Sequence, residues 1–141
     1  METDKGYQNL LSQKASAQQQ YNATNNRIEE YSNRIERLKK TKESLSDAKK
    51  TFSSVKSSDD EVIEKKRSEW VGENFQLFQI KGIDVVTENS RYFTNSLDMA
   101  LDAINNEITL LENQIYESRG VLGRLQSWLN SLANRIENYF N

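Results

Sequence analysis

A chain of 141 residues suits one ordinary domain and leaves little room for two. Only 35% of its residues are apolar while 28% are charged, which points to a helical protein with a thin core, and the absence of His and Cys removes the commonest general base, thiol nucleophiles, disulfides and thiolate zinc sites. The net charge is -2, with Lys and Arg interleaved among acids in "NRIERLKKTKES" and "EVIEKKRSEW", whereas nucleic-acid binding calls for a basic stripe and a positive excess.

The N-terminal "METDKGYQNLL" has neither a basic n-region nor an apolar h-region, and no apolar run approaches the roughly 20 residues that span a bilayer. We therefore expect a chain that is soluble at synthesis, makes no stable membrane insertion, and leaves the cell, if it does, without a cleaved signal peptide. From Tyr7 onward a seven-residue frame begins. Tyr7, Lys14, Tyr21, Ile28, Ile35, Lys42 and Lys49 hold one core position, and Leu10, Ala17, Thr24, Tyr31, Leu38, Leu45 and Phe52 the other. This reads as one helix whose seam is about half apolar. Lys14, Lys42 and Lys49 can pack their stems there only if their ammonium groups reach water.

Between the arms the frame loosens. Ser58, three residues before Glu61, forms a capping box that can restart a helix after a break near Ser57 and Ser58. Farther on, "FQIKGIDVVTENS" combines β-branched residues with Gly82. The expectation is helix through both segments, with a kink or short irregularity at each. At the midpoint stands "RSEWVGENF". Gly72 can take the left-handed backbone that ends a helix, and Trp70 can cover the end of a two-helix seam together with Phe75 or Phe78.

The second arm carries the best signal in the chain. Leu101, Ile108, Ile115, Leu122, Leu129 and Ile136 alternate with Leu97, Ile104, Leu111, Ser118, Leu125, Leu132 and Tyr139. A 3.5-residue spacing sustained over six heptads implies a left-handed supercoil. If the chain folds back at Val71, residues whose numbers sum to about 142 lie opposite one another: Leu45 faces Leu97, Leu38 faces Ile104, Tyr31 faces Leu111 and Leu10 faces Leu132, so the two seams meet. The alternative is a continuous helix pairing with another chain, and the register match favours the hairpin. The predicted fold is all-α: an elongated, coiled-coil-like antiparallel hairpin over 1–141, roughly 100 Å long. Its first arm covers about 4–69, its turn 70–72 and its second arm about 73–140.

Such a hairpin buries little and is marginally stable alone. A flanking stripe, Phe93, Ala100, Val121 and Trp128 with Phe140 near the tail, widens the second arm's apolar face beyond what one helix covers, as in three- and four-helix bundles. Phe93 and Ala100 can instead fold over their own seam. Val121 and Trp128 face a first-arm segment, Lys14 to Tyr21, too polar to bury them. Gly120 and Gly123 fall on the outer face, where each weakens the helix by about 1 kcal/mol relative to Ala and allows a bend or a close approach. Acidic neighbours (Glu29 with Glu30, Asp59 to Glu61, Glu107 with Glu112) read as solvated faces or caps. With no phosphate loop and no nucleophile elbow, we expect no enzyme, no catalytic residue, no cofactor and no metal.

Trp70-Val71-Gly72 between two helical arms, followed by Phe75 and Phe78, resembles the WXG superfamily of small helical hairpins handled by type VII secretion. The layout of nearly the whole chain is similar to the YwqH-like family, accessory proteins encoded beside LXG-type toxins of Gram-positive bacteria. The matching pieces are "YQNLL", "NRIERLKKTKESLSDAKKTF", "WVG" and "LDAINNEITLLENQIYESRGVLGRLQSWLNSLANRIE". The resemblance implies an adaptor that binds the helical N-terminal region of a toxin, often with a second small helical accessory protein, and helps deliver it to the secretion apparatus. One departure is that no Tyr is followed four residues on by an acid: Tyr92 is followed by Ser96 and Tyr116 by Gly120. Either a partner supplies the export signal, or this chain stays in the cytoplasm.

Two readings follow. In the first, the stripe residues Phe93, Val121, Leu125, Trp128, Leu132 and Phe140 bind a toxin's helices, with Trp70 and Gly72 shaping the bend. In the second, the chain is a self-assembling structural coiled coil whose homo-oligomer covers its own stripe.

Overall fold

Without proline, and with few glycines, every backbone N–H can join a helical ladder. A computed structural model shows two long helices packed against each other as a hairpin, α1 (Glu2–Glu69) and α2 (Glu73–Glu137). It describes the backbone of residues 2–69 and 73–141 and the side chains of 5–58, 61 and 85–141, and among the described residues there is no strand. Helix continues through both weaker segments, as expected. Both helices run unbroken through Ser57–Ser58 and Gly82, and Ser58 and Glu61 stand exposed on a continuous surface, so the capping box is not used to restart a helix.

The helices form two compact units, residues 1–37 with 108–141 and residues 38–107. In the first, Ala17, Leu129 and Leu132 make a core against which Leu10 and Tyr21 pack, while Ile35, Ile108, Leu111 and Ile115 are buried along the same seams. Every second-arm seam residue from Leu97 to Tyr139 is buried or half-buried, and on the first arm only Lys14 and Lys42 are exposed. The heptad frames are therefore the packing frames. In the second unit Phe52 stacks on Phe93, centroids 4.6 Å apart, and Lys49 Nζ reaches Asp98 Oδ1 at 2.5 Å. Tyr7 meets Tyr139 and Phe140 in the first. The residue numbers of these pairs add to about 146, roughly one helical turn beyond the register expected from a fold-back at Val71. Long side chains reach along the helix as well as across it, and spacing alone does not fix that stagger.

The end of α2 tightens. Asn138 N–H donates to Asn134 O at 3.0 Å, and Tyr139 N–H to Ile136 O at 3.3 Å, an i to i-3 closure that uses carbonyls a helix end leaves free. Arg135 in the last turn complements the helix dipole. No buried side-chain polar atom among the described residues lacks a partner.

Candidate partner-binding surface

Helix α2 carries a nearly continuous apolar seam with a flanking stripe, whereas the seam of α1 is about half apolar. A helix whose apolar arc is wider than its partner's must leave part of that arc in water. In the first unit this uncovered part is a line on α2. Trp128 is 42% exposed and Val121 and Leu125 are half-buried. Leu110, 51% exposed, precedes Val121 by three helical turns and so continues the face. Arg124 lies between Val121 and Trp128 on that face, and the Arg135 guanidinium stands 5.9 Å from the centre of the Trp128 ring, within cation–π range.

Gly120 and Gly123 have open space above them, as their place on the outer face requires. Gly120 lowers the surface beside Val121, leaving an open notch walled by Tyr116, Glu117, Arg119 and Arg124. Tyr116 is almost wholly exposed.

The other expected residues divide. Leu132 is 0% exposed and belongs to the hairpin's own core, so it offers no surface to a partner. Phe140 is largely exposed, yet its ring packs on Tyr7 and Tyr139, each at 5.1 Å. Tyr139 in turn approaches Gly6 so closely that a Cβ there would collide with its hydroxyl. In the second unit, Phe93 covers its own seam with one face and stays partly exposed with the other. It lines an open groove with Phe52, Val55, Lys56, Val86 and Tyr92. The turn residues Trp70 and Gly72 lie outside the described residues. Phe75 and Phe78 belong to α2, and their side chains lie outside the described ones.

Heptad counting misses Leu110 and Tyr116 because they are off the seam. The eleven-residue step from Leu110 to Val121, three turns of a straight helix, is the signal that finds the first of them. Among the described residues no cluster of three or more carboxylates is placed to hold a metal ion, and no helix is long and apolar enough to cross a membrane. What the surface can do chemically is bury apolar area and pair charge.

Among known protein families, the YwqH-like family model matches residues 12–134, which takes in most of both helices. No curated protein and no solved structure matches the chain.

Proposed function

This chain belongs to the YwqH-like family, and from that premise we propose that it is a non-catalytic adaptor for a toxin exported by type VII secretion. It binds the helical N-terminal region of an LXG-type toxin, alone or beside a second small helical accessory protein. It keeps that region soluble in the cytoplasm and presents it to the secretion apparatus, with or without travelling alongside.

The observation that carries this reading is the exposed line on α2. Leu110, Val121 and Trp128 stand along one side of α2, and the hairpin's own packing leaves about half of Leu110, two-fifths of Trp128 and part of Val121 open. Covering the open two-fifths of Trp128 alone buries on the order of 100 Å², about 2.5 kcal/mol at 25 cal/mol per Å². A helix lying along the whole line gains several times that before ordering costs, enough for a stable complex.

The test is co-expression with the toxin's N-terminal helical region and capture through a tag on this chain. Trp128→Ala is expected to weaken capture roughly fiftyfold, and Val121→Asp to abolish it by placing a carboxylate in an apolar contact. Since part of Trp128 is buried within the hairpin, Leu110→Asp serves as a variant that leaves the core untouched; it too is expected to weaken capture. Undiminished capture by all three variants, with helicity intact, rules out this face.

A further inference from the structure

The interleaving of charges that holds for the whole chain does not hold for one stretch of the first unit. Residues 5–28 contain Lys5, Lys14 and Arg27 and no acid; residues 118–136 contain Arg119, Arg124 and Arg135 and no acid. The fold brings these two segments together, since Ala17 packs with Leu129 and Leu132, and Tyr7 with Tyr139. All six cations are exposed. A net charge of -2 for the chain therefore conceals a local excess of six positive charges, balanced by acids elsewhere.

Two of these cations, Arg124 and Arg135, stand at the uncovered apolar line. Arg124 stands one turn from both Val121 and Trp128, Arg135 lies over the Trp128 ring, and Glu117, one turn before Val121, bounds the stretch. Resting on the adaptor reading above, we propose that the segment seated here is an amphipathic helix of the partner protein whose apolar stripe is flanked by Asp and Glu. Its apolar residues cover Val121 and Trp128 while its carboxylates pair with Arg124, Arg135 and the neighbouring cations. The guanidinium fork suits carboxylates, and complementary charge speeds encounter and fixes register.

A nucleic acid fits less well. Duplex DNA carries one charge per about 1.7 Å, whereas here six cations are spread over two helical segments and alternate with apolar side chains that a phosphate backbone would leave in water.

Three synthetic helices test this, sharing one apolar heptad seam and differing only in flanking residues: all Glu, all Gln or all Lys. Each is labelled and titrated with the full-length protein, followed by fluorescence anisotropy. The Glu-flanked helix is expected to bind on the order of tenfold tighter than the Gln-flanked one at low salt, and the advantage to vanish near 0.5 M salt, where the screening length falls to about 4 Å. In Arg124→Glu/Arg135→Glu most of the preference for the Glu-flanked helix should be lost, and Arg124→Lys/Arg135→Lys should keep most of the original. Equal binding of the Glu and Lys helices, no binding of any, a preference unchanged by the double reversal, or tighter binding to a duplex DNA or to phosphatidylglycerol vesicles each overturns the proposal. The toxin pull-down separates the two readings. Capture that survives Arg124→Glu/Arg135→Glu but fails in Val121→Asp removes the acidic helix and keeps the adaptor.

Discussion

At the scale of single residues, burial and charge make opposite demands on seam positions. Leu132 is fully enclosed with Ala17 and Leu129 around it. Leu132→Ala should therefore lower stability by about 3 kcal/mol, the cost of a lost side chain plus the cavity it leaves; a circular-dichroism melt showing less than about 1 kcal/mol would mean that the site collapses or that the core is loose. Lys49 sits at a seam position with its ammonium on Asp98, and both side chains are close to half exposed. An ion pair this open contributes well under 1 kcal/mol. Lys49→Leu exchanges it for apolar burial and leaves a solvated Asp98, so the melting temperature should rise, by the equivalent of about 1 kcal/mol. A fall would show that the pair, rather than the apolar frame, holds this part of the hairpin.

At the scale of elements, α2 organises the fold and α1 follows it. The second arm's frame was legible because Leu and Ile occupy nearly every seam position, and each of these residues is buried or half-buried. The first arm was legible only through the alternation of its few apolar residues, and there Lys14 and Lys42 stay in water as their chemistry demands. Spacing did not reveal the stagger between arms, which depends on how far side chains such as Tyr7 and Phe52 lean along the helix. Helix through Ser57–Ser58 and Gly82 was legible, since a weak local preference against it is small beside an intact hydrogen-bond ladder. At Val121 and Trp128 the stripe read from the sequence keeps part of its surface open. At Leu132 it was misassigned, because one position can satisfy both the stripe and the seam and only the packing decides between them. The absence of cysteine gives a clean test of the hairpin. Lys49→Cys/Asp98→Cys, joined by a short bismaleimide, should give a product with the mass of a single chain; cross-linked dimers would mean that the two arms belong to different molecules.

At the scale of the whole molecule, the apolar arc left on α2 in both units and the few enclosed side chains among the described residues fit the proposed adaptor role, in which a partner would supply part of the stability. A ligand that binds only the folded hairpin stabilises it by mass action, so a hundredfold excess over the dissociation constant adds about 2.7 kcal/mol, a large share of what a thin core supplies. A self-sufficient coiled coil needs no such help. The most direct measurement is light scattering coupled to size exclusion, with a thermal melt, on the chain purified alone and co-expressed with the toxin's N-terminal helical region. The adaptor account predicts a weakly folded or heterogeneous species alone, and a single complex containing both proteins that melts cooperatively and well above it. A defined homo-oligomer that melts cooperatively alone and excludes the toxin region would contradict it.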